Sequence, residues 1–332
     1  MSISIEQVYY LPSGRVFVAK TDDDYLIEFT EMRDVAVDGK LHQEVREEVE
    51  ASKIWPHLVG YQHKWLLTVS TQKGCSFNCK FCDVAPLPFR GNLSAQEITQ
   101  QIELILKCTP YVERSKKVKI GFARMGEPAF NLDNVLQVMK SLPNISAGLD
   151  RYFTWLPCFN SILPKKIDSD TSGFDVIDKV IDVKENIYGG FLHFQISCNS
   201  TDEEVRKKLF NTSNILSLEE IVKHINSKDI SNRTITLNFI VMKGVPVDVD
   251  YLMKLNLNPE QFTVKLIPLN NTNNAGDNNL ETYANYSNYG ELVRLAKSFS
   301  KYGIPVVYDA IAKCEEAGLC CGQLVHTRRD QK

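Results

Sequence analysis

Short apolar runs and helical apolar stripes alternate along most of this chain, and their spacing predicts the order of its elements. From Trp65 onward the order is strand, then helix, repeated. Apolar runs bounded by polar or glycine-containing segments mark strands at 65–70, 117–123, 151–156, 190–198, 234–242 and 261–269. Ser94-Ala95-Gln96-Glu97 is a capping box, and Ile98, Ile102 and Ile105 follow it at helical spacing, so the first helix runs to about Lys107. Further helices are expected at 132–141, at 174–183, after the capping segment Thr201-Asp202-Glu203-Glu204, and at 289–302. Strands separated by helices make a parallel sheet, so the fold class is α/β and the architecture a partial (β/α)6 barrel. The asparagine-rich stretch from Asn270 to Tyr286 reads as a mobile loop over the barrel mouth.

Residues 1–64 differ. Val8 to Leu11, Arg15 to Lys20 and Tyr25 to Thr30 read as three strands around the turns Pro12-Ser13-Gly14 and Thr21-Asp22-Asp23-Asp24. Gln43 to Lys53 is highly charged and reads as a surface helix. The expected division is therefore a small β-rich N-terminal appendage, 1–64, and a barrel with a cysteine-containing tail, 65–332.

Composition narrows the class of protein. An apolar fraction of 43% over 332 residues is that of a well-cored chain. No apolar stretch is long enough to span a membrane, and Met1 to Leu11 lacks the basic start and apolar run of a signal peptide. Nine cysteines, an odd number, point to a reducing, cytoplasmic setting. A net charge of −3 argues against electrostatic nucleic-acid binding by the whole surface. Arg206-Lys207-Lys208 and Arg328-Arg329 are candidates for a local basic rim, and each taken alone reads as solvated surface.

The chemistry concentrates in one loop. Cys75, Cys79 and Cys82 follow the first barrel strand in the pattern C-x3-C-x2-C, with the aromatic Phe81 just before the last cysteine. Three thiolates on a tight loop can hold three irons of a [4Fe–4S] cluster and leave the fourth to a small molecule. Zinc commonly takes four protein ligands, and no second knuckle follows at suitable spacing. A disulfide framework belongs to shorter chains in oxidising compartments. Functional groups of such a barrel collect at the C-terminal ends of its strands. Gly126-Glu127-Pro128, Ser197-Cys198-Asn199 and Asn270 all fall there, although each could equally be a strand-end turn or cap.

The cysteine loop resembles that of radical S-adenosylmethionine (SAM) enzymes. A larger set resembles the RlmN/Cfr family of adenosine methyltransferases within them. It comprises Gly74-Cys75 through Leu93, Met125-Gly126-Glu127-Pro128 with Asn131 to Val135, Leu266 to Asn270, and Cys321-Gly322-Gln323-Leu324. The resemblance covers about 65–326. It implies a radical SAM barrel that methylates an adenine ring carbon in RNA or a related nucleotide, served by an electron donor such as a flavodoxin or ferredoxin. It implies a [4Fe–4S] cluster on Cys75, Cys79 and Cys82. It also implies that Phe81, Gly126, Glu127, Ser197, Cys198, Asn199 and Asn270 line the SAM site, with Glu127 toward the ammonium. Cys321 matches the cysteine that carries the methyl group, and Glu28 the glutamate that accepts a proton; on its strand alone, Glu28 reads as a surface residue.

Two departures stand out. Thr68 occupies the position of the family's second cysteine, which breaks the enzyme–RNA adduct, and a hydroxyl cannot attack sulfur as a thiolate does. Cys158, Cys198 and Cys320 are the candidate substitutes. Residues 1–64 show none of the helical, basic pattern of the family's RNA-binding extension. A radical reaction on a small molecule or peptide, and a non-catalytic binding protein on this fold, are the alternatives.

Overall fold

A computed structural model describes residues 3–11, 13–33, 60–283, 290–308 and 320–325. The expected helix at 43–53, Cys314, Arg328 and Arg329 lie outside the described residues. The chain runs β1 (Ser4–Leu11), β2 (Gly14–Lys20), β3 (Leu26–Arg33), β4 (Trp65–Thr68), β5 (Gln72–Lys73), β6 (Gly91–Asn92), α1 (Ala95–Cys108), β7 (Arg114–Gly121), α2 (Leu132–Ala147), β8 (Tyr152–Ser161) and α3 (Gly173–Asn186). It continues through β9 (His193–Ser197), α4 (Glu203–Phe210), α5 (Leu218–Asn226), β10 (Ile235–Val241), α6 (Val249–Lys254), β11 (Phe262–Pro268), α7 (Asn273–Asp277), α8 (Gly290–Ser300) and β12 (Val306–Tyr308).

Ten strands form one sheet in the order β1-β2-β3-β4-β7-β8-β9-β10-β11-β12. From β4 to β12 every neighbouring pair is parallel, which is the strand–helix–strand architecture expected from the pattern. β1, β2 and β3 join antiparallel at the β4 edge, where Thr30 stands opposite Thr68. Phe17 and Phe29 stack at 5.0 Å between β2 and β3, and both are fully buried.

Side chains alternate between the two faces of each strand. One face packs against the helices: Val118 and Ile120 of β7, Phe194 and Ile196 of β9, Leu237 and Phe239 of β10, and Val264 and Leu266 of β11 are all fully buried there. The other face lines the concave interior, or lumen, of the open barrel.

α1 forms as its capping box dictates. The Ser94 N–H donates to the Glu97 carboxylate at 2.8 Å, and the Glu97 N–H returns to Ser94 Oγ at 3.2 Å. Ile98, Ile102 and Ile105 are buried, each contributing about 1.5–3 kcal/mol. α2 runs six residues beyond its expected end at Ser141, through Pro143. A proline leaves the carbonyl four residues back without its helical donor. That carbonyl is Met139's, and the Tyr188 hydroxyl donates to it instead. β8 likewise runs past its expected end at Leu156, through Pro157. β9 begins to pair with β8 only at Cys158, so the missing N–H falls where one side of the strand is still unpaired.

The stretch expected to be a mobile loop is held in place. Between Asn270 and Thr282 it contains α7, capped by Thr272, and pairs at its end with Met242. The side chains of Asn274 and Asn278 donate to carbonyls of the cysteine loop.

Candidate functional site

Gly74 opens the cysteine loop with φ +81°, and a Cβ there would stand 2.6 Å from the Pro88 carbonyl. The three thiols do not converge on one point, and among the described residues no three His, Cys, Asp or Glu side chains do. Burial pushes the Cys75 thiol up to about 12, with Glu127 adding to the shift. Cys79 and Cys82 are raised in the same way, first by burial and then by neighbouring thiols. Buried thiolates of this kind need a positive group among them, and a cluster meets that need. The eight described cysteines are all free thiols.

Residues distant in sequence brace the loop. The buried Asp83 carboxylate accepts the Asn274 N–H at 2.9 Å and the Asn273 N–H at 3.3 Å at the start of α7. Asn274 Nδ2 donates to the Cys79 and Cys82 carbonyls at 2.9 and 3.1 Å. Thr272 donates to the Phe81 carbonyl at 3.0 Å. The Phe81 ring packs edge-on to Phe210, 5.9 Å between centroids. Gln72 joins the loop to the glutamate turn: its Oε1 accepts from the N–H groups of Ser76 and Glu127. Gly126 lies against Gln72 with φ +103°, and a Cβ there would meet Gln72 Cβ at 2.6 Å.

Glu127 is buried. Its carboxylate accepts the N–H groups of Ala129 at 3.1 Å and Ile162 at 3.2 Å, and Ser161 contributes a further hydrogen bond. Burial outweighs these bonds and lifts its pKa to about 7. Ser197 ends β9, beside Asn238 of β10. Asn199 is fully buried at φ +61°; its Oδ1 accepts the Ile240 N–H at 3.2 Å, while its Nδ2 has no partner. Asn238 Oδ1 is also buried without a partner. These orphaned groups fit a site that a polar ligand completes. Cys198 faces the helical layer, 3.5 Å from the Ile196 carbonyl. Asn270 is half-buried just past β11.

The tail reaches this site. Gly322, at φ +78°, packs so closely on Val84 that a Cβ would stand 2.6 Å from it. The preceding Cys321 has its Sγ 3.6 Å from the Ala123 carbonyl. Glu28 is completely buried, so the surface reading of that residue is corrected. One oxygen takes Arg124 Nε at 2.8 Å, Nη2 at 2.6 Å and the Gly322 N–H at 3.0 Å; the other takes the Val325 N–H at 2.9 Å. Burial works against the Arg124 charge, but Glu28 outweighs it and holds the guanidinium pKa up. Burial also raises the Cys321 thiol, while Arg124 beside it pulls the other way.

Elsewhere, Arg206 is fully buried and donates to Glu203 and to the Cys198 and Leu216 carbonyls, and Lys207 pairs with Glu204. Arg206 thus secures the turn after β9 and is no part of a basic rim. Reading the sequence singled out the cysteines, Gly126, Glu127 and Cys321. It missed Gln72, Ser161, Asn238 and the bracing by Asp83 and Asn274, and it gave Arg124 no role. Asp83 adjoins Cys82 and carried a signal; Gln72 carried none.

No family model matches the chain. Over 190 residues it is 30% identical to a probable dual-specificity RNA methyltransferase RlmN of Chlorobaculum tepidum, covering 57% of this chain and 46% of that protein. Over 280 residues it is 29% identical to the ribosomal RNA large subunit methyltransferase N of Nitrosopumilus maritimus, covering 81% and 70%. Over these stretches the chain is similar to RlmN methyltransferases. It spans about half the length of the first of these relatives. Its fold matches the crystal structure of a radical SAM methyltransferase from Sphaerobacter thermophilus with a TM-score of 0.68 at 16% identity, over 97% of this chain and 80% of that one. No helix among the described residues is long and apolar enough to cross a membrane.

Proposed function

We propose that this chain is a radical SAM enzyme that methylates an adenine-containing nucleotide or RNA, with Cys321 as the methyl carrier. The observation that supports this most is the seating of the Cys321 turn on the cysteine loop, through Gly322 against Val84 and through Glu28 and Arg124. Cys75, Cys79 and Cys82 would hold a [4Fe–4S] cluster. Gly126 and Glu127 would hold the SAM ammonium, Ser197 and Asn199 its carboxylate or ribose, and Asn270 its adenine or ribose, with Phe81 in the surrounding wall; Cys198, turned to the helical layer, would take no part. Once bound, the cluster and SAM supply the electron and the radical.

The chain's own residues do the rest. Above about pH 7 Glu127 is an anion and forms a charge-assisted contact with an ammonium group. Arg124 stabilises the Cys321 thiolate that takes the methyl group. Glu28, with both oxygens occupied, positions the Cys321 turn. Residues 72–83, held by Asn274 and Gln72, keep the three thiols in register.

The Thr68 hydroxyl shares a 2.5 Å hydrogen bond with Thr30. Of the candidate substitute thiols, Cys198 faces the helical layer and Cys158 faces the lumen. The Thr68–Thr30 pair favours a second reading, radical chemistry on a small molecule or peptide without methyl transfer. Anaerobic iron and sulfide analysis with EPR tests the shared premise. Replacing Cys75, Cys79 and Cys82 together with alanine should abolish the cluster and SAM cleavage, and a full cluster in that variant would refute both readings.

A further inference from the structure

Five carboxylates are buried among the described residues: Glu28, Glu31, Asp83, Glu97 and Glu127. Three stand beside a cation, Glu28 with Arg124 at 2.6 Å, Glu31 with Arg15 at 2.6 Å and Glu97 with Lys73 at 3.8 Å. Asp83 and Glu127 have only hydrogen-bond donors as partners among the described residues, and both border the cysteine loop. Glu127 has a task in the reading given above. The charge of Asp83 has none.

A buried anion without a cation is costly, and hydrogen bonds offset only part of that cost. Asp83 is fully buried. Its Oδ1 accepts the Asn274 N–H at 2.9 Å, and its Oδ2 the Asn273 N–H at 3.3 Å. Both oxygens act as acceptors, the pattern of an ionised carboxylate. Bracing alone does not need the charge, because a neutral Asn or Ser side chain also accepts a backbone N–H at the start of a helix. The charge sits in the residue next to Cys82, and it acts there. Burial, and then the thiols of Cys321 and Cys75, raise the Cys82 thiol, and Asp83 adds to the rise. Asn274 fixes the charge relative to the thiols: its N–H holds Asp83 while its Nδ2 holds the Cys79 and Cys82 carbonyls.

We propose that Asp83 is an electrostatic tuning residue whose buried charge lowers the reduction potential of the cluster that Cys82 helps to hold. This rests on the assignment of a cluster to Cys75, Cys79 and Cys82 given above, and adds what sets its reducing power. Reduction by one electron adds one negative charge. A fixed anion walled by low-dielectric protein opposes that addition, so the electron is held less tightly and passed on more readily. That suits delivery of one electron to the sulfonium of SAM, which accepts electrons poorly. An outside one-electron donor of the flavodoxin or ferredoxin class replaces the electron, and the tuning requires that donor to be a strong one.

The test is a redox titration followed by EPR on the cluster-reconstituted full chain without SAM, after iron and sulfide analysis of each protein. At a set potential, Asp83→Asn should shift the ratio of reduced to oxidised cluster about tenfold toward reduced, a rise of about 59 mV in midpoint. Asp83→Glu disturbs the same packing but keeps the charge, and its midpoint should stay close to the wild type. Asp83→Ser is neutral and can still accept an N–H, so it serves as the second variant if Asp83→Asn loses its cluster. A neutral variant with a full cluster and the wild-type midpoint would overturn the proposal. An equal rise in Asp83→Glu would overturn it too, by tracing the effect to packing. Loss of the cluster from both neutral variants, with Asp83→Glu retaining it, would make Asp83 a brace for the loop and not a tuner. A wild type without iron and sulfide would refute the cluster assignment itself, so the two failures are separate results.

Discussion

Replacing Arg124 with methionine removes the only side-chain cation that the buried Glu28 carboxylate contacts among the described residues. Both groups are nearly inaccessible, and their contacts are 2.6 and 2.8 Å. Removing one partner of a buried pair costs about 3–5 kcal/mol. Glu28 keeps the N–H groups of Gly322 and Val325, so the expected loss for Arg124→Met is at the low end, about 3 kcal/mol. That is a large part of the 5–15 kcal/mol that holds a typical domain folded. Glu28→Gln should cost a similar amount by leaving Arg124 buried without its anion. The double variant should cost less than the sum by about 1–3 kcal/mol, because neither charge then remains unpaired. Urea denaturation followed by circular dichroism gives the four stabilities. The pair also seats the tail, so maleimide labelling of Cys320 and Cys321 in the folded protein, read by peptide mass spectrometry, should rise in each single variant. Costs that add to within about 0.5 kcal/mol, with unchanged labelling, would refute the argument.

Two further expectations follow from buried titrating groups. Glu127→Gln should weaken SAM binding ~10- to 150-fold at pH 8. Wild-type affinity should rise with pH through about 7 as Glu127 ionises, while the variant's stays flat; parallel profiles would move the ammonium contact elsewhere. His193 has its pKa lowered on folding, so its contribution to stability is full above its unfolded value, about 6.5, and is lost as pH falls below it. Between pH 7.5 and pH 5 that loss is about 2 kcal/mol, and His193→Gln should remove it from the wild-type slope; an identical slope in the variant would show that His193 is not held neutral.

The parallel strands were legible because each is a short apolar run with turn residues at both ends. The capping box at Ser94 marks a real helix start. Ser217 and Glu220 carry the same signal before Leu218, Ile221, Val222 and Ile225, and the pattern reading passed over that helix, α5. β12 has only three residues, too few for a period to show. The asparagine-rich stretch after β11 misled for a physical reason. Asparagine suits loops, but here Asn274 and Asn278 cap carbonyls of a loop about 190 residues earlier, a use that composition does not reveal. The cysteine loop stands out by its local spacing, whereas Glu127 and Cys321 stand out only through the resemblance to the RlmN/Cfr family. The Glu28–Arg124 pair spans 96 residues and two strands, so only the folded sheet brings it together.

The methyl-carrier claim meets its most direct test in peptide mass spectrometry of protein purified anaerobically and incubated with SAM and a reductant. A methyl group on the Cys321 peptide, absent from Cys321→Ser, is the predicted result. Normal cleavage of SAM to 5′-deoxyadenosine with Cys321 unmethylated under every condition would contradict it and favour radical chemistry without methyl transfer.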